Sequence, residues 1–197
     1  KGMINELHSM GFKVMVWISP FVSADSEEYR ALEAKGYLIK EKGKNTPAII
    51  SWWNGKSACY DLTNPEAKAY FIKQLKDMQA KYGVDGFKFD AGDNGFYDEN
   101  YISVDHTKAW SEIGLEFPFN EYRAGWQLGG QPLVQRLGDK PYSWKAVQML
   151  IPDMISAGLL GYAYTCPDMI GGGSFTTFLN IKEDQFDQTL IVRSTQI

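Results

Sequence analysis

The sequence predicts an α/β barrel, and three observations lead there. Short apolar runs alternate with stretches of helical period. Acidic residues recur just after successive predicted strands. No glycine-rich nucleotide loop opens a helix. Strands alternating with helices imply a parallel sheet, either a barrel or a doubly wound sheet. A nucleotide-binding doubly wound sheet would carry GxGxxG after a strand, and none is present. Gly171-Gly172-Gly173 lacks the Lys-Ser/Thr of a phosphate loop. The barrel is therefore preferred.

Each element has its own signal. Met3, Leu7 and Met10 have helical spacing, and Gly11 ends that helix. Lys13 to Pro20 is a near-continuous apolar run stopped by proline, as in a parallel strand buried on both faces. A short helix is expected around Ser26 to Ala34. Asn64 caps a further helix, Pro65 suits its first position, and Glu66 favours the positive end of its dipole. Ala67, Tyr70, Phe71, Leu75 and Met78 form its apolar stripe, and Gly83 ends it. A strand follows at Gly86 to Phe89. Asn94 to Asn120 reads as a long polar loop, of the kind that is functional or disordered. Further strands are expected near Tyr122, at Leu133 to Leu137 and at Leu160 to Thr165. Trp144 to Ala157 reads as a helix despite Pro152, and another helix runs from Asp184 to the end.

The chain has 197 residues, with 20 Lys+Arg against 24 Asp+Glu for a net charge of −4. That balance argues against a nucleic-acid partner, which needs a basic face. No apolar run reaches the roughly 18 residues that span a bilayer, so no membrane partner is expected. No secretory leader is visible, and the chain starts at Lys1 in helical text, compatible with a leader removed or never included. Cys59 and Cys166 are too few for a disulfide framework, and His8 and His106 have no zinc-ligand spacing. A histidine-based zinc site is therefore not expected. Aromatic residues are 14%, including six Trp, which suits either a large core or a surface that stacks on sugars.

In a barrel the reactive groups sit at the C-terminal ends of the strands. Asp90 and Asp93 follow one predicted strand, Asp139 the next but one, and Asp168 the last. Several carboxylates around one mouth suit glycoside hydrolysis, in which one attacks the anomeric carbon or activates water and another protonates the leaving oxygen. The same acids could hold Mg²⁺ through oxygen ligands. Lys88, two residues before Asp90, faces the same way along the strand, as a cation that keeps a nucleophile ionised or as a structural ion pair.

The run Gly86-Phe87-Lys88-Phe89-Asp90-Ala91-Gly92-Asp93 resembles the nucleophile motif of glycoside hydrolase family 31. Other segments follow in family order: Val16-Trp17-Ile18-Ser19-Pro20, Asp61-Leu62-Thr63-Asn64-Pro65-Glu66, Tyr122-Arg123-Ala124-Gly125, Arg136-Leu137-Gly138-Asp139 and Pro167-Asp168-Met169-Ile170-Gly171-Gly172-Gly173. The resemblance implies a retaining α-glycosidase on a (β/α)₈ TIM barrel that needs no cofactor. Residues 1–197 would form one partial catalytic domain covering about strands 3 to 7. It implies Asp90 as nucleophile and Asp139 as acid/base, with carboxyls about 5–5.5 Å apart. Lys88, Arg123 and Asp168 would bind sugar hydroxyls, Trp17 and Trp126 would shape the pocket, and Asp93 would support it. Arg136 stands where many members carry Trp, a feature shared with α-galactosidase-like members. Trp52-Trp53-Asn54-Gly55 either borders the sugar or packs its loop. The implied partner is an oligosaccharide or α-glycoside. Since an incomplete barrel leaves open sheet edges, the isolated chain is expected either to associate with copies of itself or to be a fragment of a larger molecule, and to be inactive. A non-catalytic carbohydrate-binding relative, and a metal-dependent lyase or isomerase barrel, are the competing readings.

Overall fold

The computed structural model describes residues 1–97, 103–174 and 180–197. It resolves into two compact units, 1–128 and 129–197.

The first unit carries a parallel sheet of β1 (Met15–Ile18), β5 (Gly86–Phe89) and β6 (Asn120–Tyr122), in the order β1-β5-β6. The β1–β5 register places Trp17 opposite Lys88, and β5–β6 places Lys88 opposite Glu121. Phe87 and Phe89 are buried from β5, against Phe117, Trp110 and Tyr122. At Gly86 a Cβ would lie 1.7 Å from the Phe119 carbonyl oxygen, so only glycine lets the two strands approach here. At the opposite end from Asp90, Asp85 accepts from the Val14 N–H at 2.7 Å, from His8 at 2.8 Å and from Lys13 at 3.2 Å. The backbone donor and those two side chains pull its carboxyl down to about 2.

Helix α1 (Gly2–Ser9) ends just before Gly11, whose φ is +87°. Helix α3 (Pro65–Tyr82) starts at Asn64, whose side chain accepts from the Glu66 N–H, and ends at Gly83 with φ +83°. It buries Ala67, Phe71 and Leu75, three members of the anticipated stripe. Ser26 caps α2 (Glu27–Lys35) by accepting from the Tyr29 N–H.

Between β1 and α3 lies an antiparallel sheet that the sequence reading did not anticipate. It consists of β2 (Phe21–Ser23), β3 (Ile50–Trp52) and β4 (Gly55–Cys59), in the order β2-β4-β3. The two-residue loop Trp53-Asn54 closes the β3–β4 hairpin, and Gly55, with φ +106°, opens β4 opposite Trp52. Strand β1 is shorter than Lys13 to Pro20. It is also not buried on both faces, because Trp17 is 46% exposed.

The expected long polar loop contains a helix, α4 (Ser103–Ile113), while 98–102 lie outside the described residues. Its polar text conceals a buried face. Thr107 Oγ1 donates to the Gly92 carbonyl at 2.6 Å, and Ser111 Oγ to the Thr107 carbonyl at 2.8 Å. Hydroxyls that bond backbone carbonyls can be buried at little cost, so hydropathy missed this helix. His106 is also fully buried and reaches the Tyr60 carbonyl through Nε2 at 2.7 Å. Burial pushes its pKa from 6.5 down to about 4. Between these values the unfolded chain binds a proton that the folded chain refuses. Stability therefore falls by about 3 kcal/mol as pH drops from 6.5 to 4. His106→Gln keeps a donor for Tyr60 and removes the titration, so its chemical-denaturation stability should lose that slope. Equal slopes in the two proteins would refute the assignment.

The second unit pairs β7 (Val134–Arg136) with β8 (Tyr164–Cys166), parallel, with Arg136 opposite Cys166. Strand β8 starts later than Leu160 to Thr165, because Leu160 caps the preceding helix and Gly161 turns with φ +90°. That helix, α5 (Trp144–Leu159), runs through Pro152. Proline removes the bond to the carbonyl four residues back, and Gln148 there is exposed to water. Ser143 caps α5 by accepting from the Ala146 N–H. The expected C-terminal helix is shorter, α6 (Gln188–Ser194), preceded by a 3-10 turn at Glu183–Gln185. Asp187 sets its start by accepting from the Thr189 and Leu190 N–H groups. No helix among the described residues is long and apolar enough to cross a membrane.

Candidate active site

The anticipated site residues fall into two sets, one in each unit. In the first unit, Asp90 follows β5 and is fixed at both oxygens. Oδ1 accepts from the Ala91 N–H at 2.8 Å and lies 3.3 Å from Arg123 Nε. Oδ2 accepts from the Trp17 indole N–H at 2.7 Å. The chain then turns through two left-handed residues, Ala91 at φ +60° and Gly92 at φ +82°. A buried alanine in that region carries backbone strain, of the kind that collects at functional sites.

The cation beside Asp90 is Arg123, from the loop after β6, and not Lys88. Lys88 pairs instead with Glu121 at 3.3 Å, its cross-strand neighbour in the β5–β6 register. Of the two readings of Lys88, a cation for Asp90 or a structural ion pair, the geometry shows the ion pair. Asp93 accepts from Arg123 through Nε at 3.0 Å and also through Nη2. The guanidinium is thus held between two carboxylates, as a fixed positive charge at the strand end.

Aromatic rings flank this cluster. Arg123 lies over Trp53 with its guanidinium carbon 4.7 Å from the ring centroid. Trp17 stacks parallel to Trp52, with centroids 6.2 Å apart and planes 5° apart. Phe21 and Phe96 close the group against Trp52 and Trp53. Trp53 is 54% exposed, so an apolar ring face remains open beside Arg123. Phe21 and Phe96 had no signal in the sequence beyond hydrophobicity. Trp126 is exposed in the loop after β6, beside the left-handed Gln127.

In the second unit, Arg136 Nη1 donates to Asp139 Oδ1 at 2.8 Å and to Asp168 Oδ1 at 2.9 Å. The Asp139 side chain is 55% exposed, whereas that of Asp168 is 3% exposed. Asp168 Oδ2 accepts from the backbone N–H groups of Lys140 at 2.9 Å and Gly173 at 2.7 Å. Burial alone would raise the Asp168 pKa. The backbone donors of Lys140, Met169 and Gly173, with the Arg136 charge, outweigh it and hold the carboxyl below its ordinary value. Lys140 is buried with its ammonium on the Asp168 and Met169 carbonyls at 2.8 and 2.6 Å. Burial pulls its pKa down, against the upward pull of Asp168. Both oxygens of Asp168 are therefore engaged inside the protein, which differs from the expected role as an open sugar ligand. Gly173 permits this, since a Cβ there would sit 2.5 Å from the Asp168 oxygens. Among the described residues no three His, Cys, Asp or Glu side chains gather as a metal-holding group.

The chain is similar to known proteins along most of its length. It is 32% identical over 183 residues to the myogenesis-regulating glycosidase of Mus musculus, covering 87% of this chain and 26% of that protein. It is 29% identical over 128 residues to alpha-xylosidase XylQ of Lactiplantibacillus pentosus, covering 57% and 16%. Its fold matches the cycloalternan-degrading enzyme from Trueperella pyogenes in complex with isomaltose, with a TM-score of 0.77 and 24% identity, covering 88% of this chain and 28% of that one. The chain spans about a quarter of the length of the myogenesis-regulating glycosidase and of the cycloalternan-degrading enzyme. The model of the glycosyl hydrolases family 31 TIM-barrel domain matches residues 1–197. With the strand-end aspartates held as described and the whole length matched, the chain belongs to glycosyl hydrolases family 31, as part of its TIM-barrel domain.

Proposed function

We propose that this segment carries the catalytic centre of a retaining α-glycosidase acting on terminal α-linked sugars of oligosaccharides, with α-glucosides or α-galactosides as substrates. The observation that carries the reading is Asp90, a carboxylate at a strand end with a donor on each oxygen and Arg123 beside it. Relatives named as glycosidase and alpha-xylosidase support the reaction class.

The reaction runs in two balanced steps. An Asp90 oxygen attacks the anomeric carbon and forms a glycosyl ester, while the leaving oxygen takes the proton of Asp139. Water then gives a proton to Asp139 and its oxygen to the anomeric carbon, and the Asp90 carboxylate is released. This requires the two carboxyls about 5–5.5 Å apart. Arg123 and the open face of Trp53 supply polar and apolar contacts to the sugar, and Arg136 holds Asp139. Lys88 and Trp126 are further contacts to the sugar, and Asp168 supports Arg136 from inside the protein. No cofactor takes part. Residues 1–197 act as one partial catalytic domain, and its exposed edges favour self-association when it is isolated.

The test is a mechanism-based 5-fluoro-glycosyl fluoride on the full-length protein, with peptide mapping of the label. The expected result is a stoichiometric ester on Asp90 and turnover of an aryl α-glucoside or α-galactoside. A label on another residue, or no turnover of any aryl α-glycoside, would reject the reading.

A further inference from the structure

We infer that Trp17 is a positioning residue for the Asp90 carboxylate and not a stacking surface for the sugar. The inference rests on the glycosidase reading and assigns Trp17 a role within it. A carboxylate can rotate about its last bond unless each oxygen has its own donor. In this site Oδ1 is held by the Ala91 N–H, which belongs to the same turn, and Oδ2 by the Trp17 N–H at 2.7 Å. Trp17 is the donor supplied to Oδ2 by another strand. The β1–β5 register keeps it fixed, two backbone positions apart from Asp90 across the ladder. Ile18 carbonyl accepts from the Asp90 N–H at 2.9 Å, so the backbone of both residues is tied as well.

The indole itself is aligned from behind. Its ring lies parallel to Trp52, which is held by its own N–H to Ser57 Oγ at 3.0 Å and by Phe21 at a centroid distance of 4.6 Å. Trp52 and Ser57 belong to β3 and β4. The antiparallel sheet therefore acts on the nucleophile through one stacked pair and one hydrogen bond. A ring whose polar edge is committed to Asp90 and whose face lies along Trp52 is arranged to aim a donor. Aligning a reacting group in this way lowers the barrier without changing how tightly substrate binds.

The experiment replaces Trp17 in the full-length protein by phenylalanine, and separately by benzothienylalanine, which keeps the bicyclic shape and exchanges N–H for sulfur. Both remove the donor, and the second retains the stack on Trp52 should the smaller ring fail to fold. The rate of ester formation with the 5-fluoro-glycosyl fluoride and the steady-state constants are measured. The expected result is a fall of about 10- to 100-fold in kcat and in labelling rate. KM should stay within about threefold of the parent value. A labelling rate equal to that of the parent overturns the inference. A raised KM at unchanged kcat overturns it in favour of sugar stacking. If the parent label falls on a residue other than Asp90, the nucleophile assignment fails first and the role of Trp17 falls with it.

Discussion

Asp90→Asn lowers kcat for an aryl α-glycoside by about 10⁴-fold or more in the full-length protein. The amide is nearly the size of the carboxylate, so Phe87 and Phe89 stay packed beneath it and the strand end survives. Its oxygen still accepts from the Ala91 N–H. Its NH₂ then faces the Trp17 N–H, donor against donor, and Arg123 loses the Asp90 charge while keeping Asp93. Most of the loss is chemical, because an amide nitrogen or oxygen is a poor nucleophile toward an acetal carbon. Asp90→Gly sharpens the result. Added azide occupies the vacated position and attacks from the same face, so the product is the β-glycosyl azide, with opposite anomeric configuration. Product NMR distinguishes it from the retained sugar. Parent-like hydrolysis by the Asn variant would remove Asp90 from the mechanism.

The second large effect concerns stability. Arg136→Met destabilises the second unit by about 3–5 kcal/mol, read by chemical denaturation with a signal from Trp144. Both partners of the Arg136–Asp168 pair are buried, with side chains 7% and 3% exposed. Methionine fills much of the volume, yet leaves the buried carboxylate without its paired guanidinium, facing backbone donors and the more distant charge of Lys140. Removing one partner of such a pair costs more than the pair contributes, since the remaining charge is stranded. Asp168→Asn in the Arg136→Met background recovers part of the loss, because a neutral amide oxygen still accepts from Lys140 or Gly173. If the double variant is no more stable than Arg136→Met, stranded charge is not the cause.

These two expectations draw unequally on the sequence. Asp90 was legible because its neighbours are a motif, and α3 because Asn64, Pro65 and Gly83 each act locally on their own turn. Side-chain partners between strands were not legible. The spacing of Lys88 fits a cation for Asp90 or a structural ion pair; the β5–β6 register gives it Glu121, and no local pattern encodes that register. Arg123 reaches Asp90 from 33 positions away along the chain, and only the paired sheet brings it there. The antiparallel sheet went unseen because β2 and β3 have three residues each, too few to show alternation. Helix α4 was hidden because Thr107 and Ser111 count as polar while their hydroxyls are consumed by the backbone. The order of motifs along the chain, in contrast, was enough for family membership.

Asp168 has a mechanical consequence. Its carboxylate binds the Lys140 amide in the loop after β7 and the Gly173 amide in the loop after β8. The two loops are thereby sewn to one anchor, and Asp139 is the residue immediately before one of the stitches. Amide exchange at Lys140 and Gly173 should proceed with a common opening rate, since neither stitch can release while the other holds the carboxylate in place. The exposed carboxyl of Asp139 then rides on a frame that is stiff for a surface loop, and any change that loosens the glycine run would be felt there as a loss of aim.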